Sequence, residues 1–177
     1  MQSEIERLLE LVREWGKNRN LLQPEWLHGQ TFKLVSEFGE IAEGMEEHNN
    51  DKIMDAFGDT LVVCVIVGEC IGRRITEEDL YPNQALSKNC DFTGSLMALG
   101  RFADAVGKGQ VEKQREELGE FARSVSDFCA WASFCVDVCL ENAYDQIKDR
   151  RGVMYKGMFI KESDERYESA RMELALG

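Results

Sequence analysis

The sequence predicts an all-α fold. Three observations carry this: only 2 prolines occur in 177 residues, no stretch alternates apolar and polar residues as a half-buried strand would, and apolar residues recur at helical spacing nearly throughout. The length fits one domain, residues 1–177, with a sizeable core. The expected core is a four-helix bundle of two helical hairpins, with an extra N-terminal helix.

Ser3 followed by Glu6 has the spacing of a capping box and opens a first helix to about Trp15, with Ile5, Leu8, Leu9, Leu11 and Val12 as its apolar stripe. Gly16 and Asn18-Arg19-Asn20 end it. Pro24 suits the first turn of a second helix that runs to about Glu47. His48-Asn49-Asn50-Asp51 is a turn, with Asn50 or Asp51 expected to cap a third helix ending near Gly72. Within that helix Leu61–Val67 is apolar all round, the mark of burial on every side, and is far too short to span a bilayer. From Arg73 to Asp91 the chain reads as loop, with Thr76 capping a possible short helix and Pro82-Asn83 as a breaker. A helix over about Phe92–Val106 follows, ended by Gly107-Lys108-Gly109, and then one long helix from about Val111 to Arg150, stopped by Gly152. The remainder holds a basic stretch with Lys156 and Lys161 and an acidic helical end.

Four acids dominate the second and third helices. Glu37 and Glu40 share one helix face, Asp55 and Asp59 another, because residues three or four apart lie together. Counting 1.5 Å per residue, Glu40 and Asp55 each lie roughly 10–15 Å from the connecting turn, at matching heights. Their neighbours are apolar, and unpaired buried acids are costly. A hard divalent cation with oxygen ligands, Mg²⁺ or Mn²⁺, would resolve the conflict. Read otherwise, Glu37 and Glu40 are a solvated face and Asp55 a first-turn acid favoured by the helix dipole.

The net charge of -12 argues against nucleic acid as the main ligand. The six cysteines form no Cys-x-x-Cys pair and fall mostly in apolar helical stretches; buried reduced thiols in a cytoplasmic protein are expected, with no signal-peptide pattern and no membrane span. Shifting the chain by 61 residues lays Val35–Cys64 over Leu96–Val125 without a gap: Gly39 meets Gly100, Gly58 meets Gly119, Asp55 meets Glu116 and Asp59 meets Glu120, but Glu37 meets Ala98 and Glu40 meets Arg101. This reads as a decayed duplication of the hairpin, or as two amphipathic hairpins alike by period alone.

The pattern Gln30-x-x-Lys33-x-x-x-Glu37-x-x-Glu40, then Asp55-x-x-Gly58-Asp59, resembles the MazG-like, all-α nucleoside triphosphate pyrophosphohydrolases and the related dimeric dUTPase-like enzymes. The tail from Ile147 to Asp164 looks like that of phage-type members, so the resemblance covers about half the chain. Two departures stand out: Ser36 where the family writes its first Glu, and Ala56 where the second helix has Glu, with Asp55 one residue earlier. The resemblance implies Mg²⁺-dependent hydrolysis between the α and β phosphates, giving a nucleoside monophosphate and pyrophosphate in nucleotide-pool control. It implies metal ligation by Glu37, Glu40, Asp55 and Asp59, with Glu37 or Glu40 taking a proton from water. Lys33, Lys148 and Arg151, backed by Lys156 and Lys161, would hold phosphate. Trp26, Gln30 and Phe32 would form the base pocket, and a homodimer or tetramer is expected. Lys148, Arg150 and Arg151 also read simply as favourable charges at a helix C-terminus.

Other classes fare worse. A ferritin-like di-metal bundle needs two Glu-x-x-His motifs, and only Glu25–His28 supplies one. A phosphate-binding glycine loop is excluded by the spacing at Gly100 and Gly107-Lys108. The alternative retained is a non-catalytic acidic helical bundle acting through partner contacts.

Overall fold

The computed structural model describes residues 3–81 and 90–176, and they fold as an all-α protein; the Pro82-Asn83 breaker lies outside them. Helix α1 spans Glu4–Asn18, and its N-cap Ser3 accepts the Glu6 N–H at 3.2 Å. It buries Ile5, Leu8, Leu9, Val12 and Trp15, while Leu11 stays partly exposed. A single 3-10 turn at Pro24–Trp26 leads into α2, Leu27–Glu46, and α3, Asn50–Cys70. The cap of α3 is Asn49, one residue before those expected; its side chain accepts the Lys52 N–H at 3.1 Å. Every residue from Thr60 to Gly68 is buried.

The short helix α4, Glu77–Leu80, carries the expected Thr76 cap, with Asp79 bonding back to the Thr76 N–H at 2.9 Å. Helices α5, Phe92–Gly107, and α6, Val111–Trp131, form a second hairpin. The two hairpins share one core: Phe38 of α2 stacks on Phe92 at 4.8 Å and meets the edge of Phe121 at 5.5 Å, and Phe57 of α3 meets Phe128 at 5.1 Å.

Two expectations are corrected. The long helix over 111–150 is two helices, α6 and α7, the latter Val136–Ile147. The chain reverses at Ser133, whose φ is 68°, with Ser133 N–H donating to the Ala130 carbonyl and Phe134 N–H to that of Cys129. This is the left-handed C-terminal turn that usually employs glycine, here made by serine. The tail is not purely loop and helix either. Gly152–Tyr155 (β1) and Met158–Lys161 (β2) pair antiparallel, with Tyr155 opposite Met158. Lys156 and Gly157 between them both have positive φ, 48° and 82°, the two-residue turn whose twist suits a hairpin. Helix α8, Tyr167–Leu176, closes the described chain.

The 61-residue echo extends to the backbone. Helix ends Glu46 and Gly107, starts Asn50 and Val111, and ends Cys70 and Trp131 all keep that offset. So do the positive-φ residues, His48 with Gly109 and Gly72 with Ser133. The turn hydrogen bonds match as well: Asn49 N–H to Gly44 O against Gln110 N–H to Ala105 O, and Arg73 N–H to Gly68 O against Phe134 N–H to Cys129 O. Shared amphipathic period alone does not produce the same loops at the same offset.

Helix α7 lies along α3, and α1 packs on both. Trp15 Nε1 donates to the Ile147 carbonyl at 2.7 Å. Arg19 donates to the carbonyls of Arg150 at 2.7 Å and Lys148 at 3.1 Å, holding the C-terminal end of α7. All six cysteines are free thiols, with Cys64, Cys70, Cys129 and Cys139 buried; burial pushes the Cys70 thiol up to about 12. No helix among the described residues is long and apolar enough to cross a membrane.

Candidate functional site

A cavity of about 250 Å³ opens where α1, α2, α3, the end of α7 and the β-hairpin meet. Helix α2 lends it Gln30, Lys33 and Glu37, and α3 lends Asp59, Val62, Val63 and Ile66. Each set recurs at helical spacing, so each helix turns one face to the space. Arg150 and Lys161 complete the polar side, and Trp15, Leu21, Ile147 and Phe159 the apolar side. Trp15 and Phe159 lie with ring centroids 6.2 Å apart, tilted at 59°.

The hairpin reaches the cavity because Gly29 lets it. A Cβ on Gly29 would fall inside contact distance of the Gly157 carbonyl oxygen and 3.3 Å from its carbon. Gly29→Ala is therefore expected to push the hairpin tip off α2. Amide exchange over residues 152–161 should quicken at least about tenfold as the local opening energy falls, while α3 stays protected. Unchanged exchange in the hairpin would show that it does not rest on Gly29.

Opposed charges crowd the polar side. Glu37 is 2% exposed, and its carboxylate pairs with the Lys33 ammonium one turn earlier. Burial, then the nearby Asp55 carboxylate, pushes the half-buried Asp59 up to about 6; Lys33 and Arg150 oppose this, and Glu40 adds to it. Burial lowers Lys33, the Asp59 and Glu40 charges hold it up, and Lys161 and Arg150 lower it further. The four expected acids therefore stand near one another, but not as one cluster. Asp55 is drawn to α7, where its Oδ1 accepts from Gln146 at 2.5 Å and Asn142 at 3.4 Å. Among the described residues no three His, Cys, Asp or Glu side chains converge to hold a metal ion as they stand. Lys33 on Glu37 and the α7 amides on Asp55 are the physical reason.

Of the other expected ligand-binding residues, Gln30, Lys33 and Lys161 line the cavity. Five do not. Lys148 pairs with Asp145 at 2.8 Å. Arg151 is exposed. Lys156 lies 4.5 Å over the Tyr155 ring and 3.4 Å from Glu173. Trp26 Nε1 donates to the Asn20 carbonyl at 2.9 Å, and Phe32 is 75% exposed. Trp15, Phe159 and Arg150 line the cavity instead. Phe159 was findable: Lys156-Gly157 between two short apolar runs is a hairpin signal. Arg150 follows only from how Arg19 sets the end of α7.

The second hairpin shows what became of the equivalent position. Arg101, at the place of Glu40, binds Glu117, at the place of Ala56, with Nε 2.7 Å from Oε2. Glu120, at the place of Asp59, is exposed beside Arg123 at 3.4 Å.

No protein-family model and no solved structure matches the chain. A 67-residue stretch, 38% of the chain, is 33% identical to an uncharacterized 18.2 kDa protein from the rep-hol intergenic region of Haemophilus phage HP1 (strain HP1c1). The match spans 41% of that relative's length.

Proposed function

We propose that this protein is a divalent-metal-dependent nucleoside triphosphate pyrophosphohydrolase of the MazG-like kind, acting on phage or host nucleotide pools in the cytoplasm. The observation that carries the reading is the cavity itself: the buried Glu37 and half-buried Asp59 carboxylates face three cations, Lys33, Arg150 and Lys161, beside an apolar wall. That is the composition a polyphosphate with an attached base requires.

The donor set fits Mg²⁺ or Mn²⁺. Asp59 is held well above the carboxylate range by burial and by Asp55 and Glu40, and an oxygen-seeking cation would relieve this crowding. Glu37, Glu40 and Asp59 would hold it, with Asp55 available once released from Gln146. When bound, the metal supplies charge neutralisation at the phosphates and a more acidic water. Arg150 and Lys161 bind and orient the phosphate chain, the Trp15–Phe159 wall excludes water around the base, and Glu40, where it is not fully engaged in ligation, accepts the proton of the attacking water. The apolar residues exposed on α2 and α5, among them Phe32, Val35, Leu96 and Met97, offer a face for the homo-oligomer that the resemblance implies.

The test is pyrophosphate release from a panel of ribo- and deoxynucleoside triphosphates with Mg²⁺ or Mn²⁺. Glu40→Gln should lower turnover at least about 10²-fold, the scale of a lost general base, with helicity intact. Glu120→Gln should leave turnover unaltered, because Arg101 and Arg123 already answer the charges of that half. Normal turnover in folded Glu40→Gln would refute the site, and collapse in Glu120→Gln would show that both hairpins serve the chemistry. The specific observation favouring the partner-contact alternative is that the acids do not already converge; no turnover of any nucleotide by folded protein would decide for it.

A further inference from the structure

The Lys33–Glu37 pair has a consequence for how the site is loaded. Glu37 is 2% exposed, so with one ammonium on it little carboxylate surface remains for a second cation. Lys33 sits on the preceding turn of the same helix, its side chain half exposed, and it lines the cavity shared with Asp59, Arg150 and Lys161. It is therefore tethered at the acid yet able to swing away. In the second hairpin a buried carboxylate is also met by a cation, though at other places: Arg101, in the position of Glu40, pairs with Glu117, in the position of Ala56.

Resting on the pyrophosphohydrolase reading, we propose that Lys33 is a placeholder cation: its ammonium occupies the seat on Glu37 that a divalent ion takes, and metal binding must displace it. In the metal-free protein the pair keeps a buried carboxylate from standing unpaired, which would be strongly destabilising. Two positive charges arriving at Glu37 repel the ammonium, and Lys33 then swings into the cavity as a third cation beside Arg150 and Lys161. Loading is thus ordered, metal before phosphate.

The experiment is Mn²⁺ titration of the full chain without nucleotide, read by electron paramagnetic resonance of the free ion and by thermal melting. Lys33→Met is expected to bind Mn²⁺ about tenfold more tightly, the scale of a charge-assisted bond no longer displaced. Its melting temperature should be lower without metal and should gain more from Mn²⁺ than wild type. Lys33→Arg, which keeps the charge, should behave as wild type. Lys33→Gln stands in if the Met variant fails to fold, with circular dichroism as the check. Equal Mn²⁺ affinity in wild type, Met and Arg variants would overturn the placeholder and leave the metal site standing. No Mn²⁺ binding by any of them would overturn the pyrophosphohydrolase reading itself, and the placeholder with it.

Discussion

Asp59→Asn is expected to raise the melting temperature at pH 7 while abolishing pyrophosphate release. Burial and the Asp55 charge hold Asp59 at about 6, against 3.8 for a free side chain. Between those values the unfolded chain has released its proton while the native protein still keeps it. Stability therefore falls as pH rises from about 4 to about 6 and stays lowered above that. A shift of about two units corresponds to ~3 kcal/mol, reduced to about 2 kcal/mol because Asp59 is only half-buried and Lys33 and Arg150 answer part of its charge. Asparagine keeps the shape and removes the charge, so the gain should be about 4–8 °C for a domain of this size. Melts at pH 4.5 and 7 check the sign: the variant's advantage should be small at the lower pH and larger at the higher. An advantage independent of pH, or a less stable variant, would show that the ionised Asp59 carries no strain. Saturating Mg²⁺ should stabilise wild type and not the variant.

Gly58→Ala should be strongly destabilising. A Cβ there would fall inside contact distance of the Cys139 carbonyl oxygen, 2.8 Å from the Ala143 Cβ and 2.9 Å from the Cys139 carbonyl carbon. These are mostly backbone atoms of α7, so the helix itself must retreat. Alanine gains about 1 kcal/mol in helix propensity over glycine, but overpacking against backbone costs about 3 kcal/mol. Retreat of α7 also withdraws Gln146 from Asp55 and moves Arg150 at the cavity rim. Urea unfolding should show a net loss of about 2 kcal/mol or more. Gly39→Ala, where the added Cβ meets nothing within 4 Å, should instead gain about 0.5–1 kcal/mol. If both variants unfold alike, α3 and α7 do not meet at Gly58.

Much of the fold was legible because helical period and capping are local. Ser3, Thr76 and the glycines at 107 and 109 mark ends that the structure repeats. The break inside 111–150 was missed because apolar spacing runs through it and no glycine marks Ser133. Yet the echo held the signal: a 61-residue shift lays Gly72, where α3 ends, over Ser133. The hairpin was missed because four-residue strands are too short for alternation to stand out, although Lys156-Gly157 marked the turn.

Residue order alone was enough to set α1 to α5, the height at which Glu37, Glu40, Asp55 and Asp59 lie along α2 and α3, and the register of the two helical hairpins, since each depends on neighbours within a few positions. It was not enough to tell which cations and rings would face the acids. Arg150, Trp15 and Phe159 come from α1, the end of α7 and a hairpin far along the chain. They meet α2 and α3 only because Gly29 and Gly58 allow backbones to touch and Arg19 ties down the end of α7. Such long-range packing has no period, so only the folded arrangement could select Arg150 over Lys148 and Arg151.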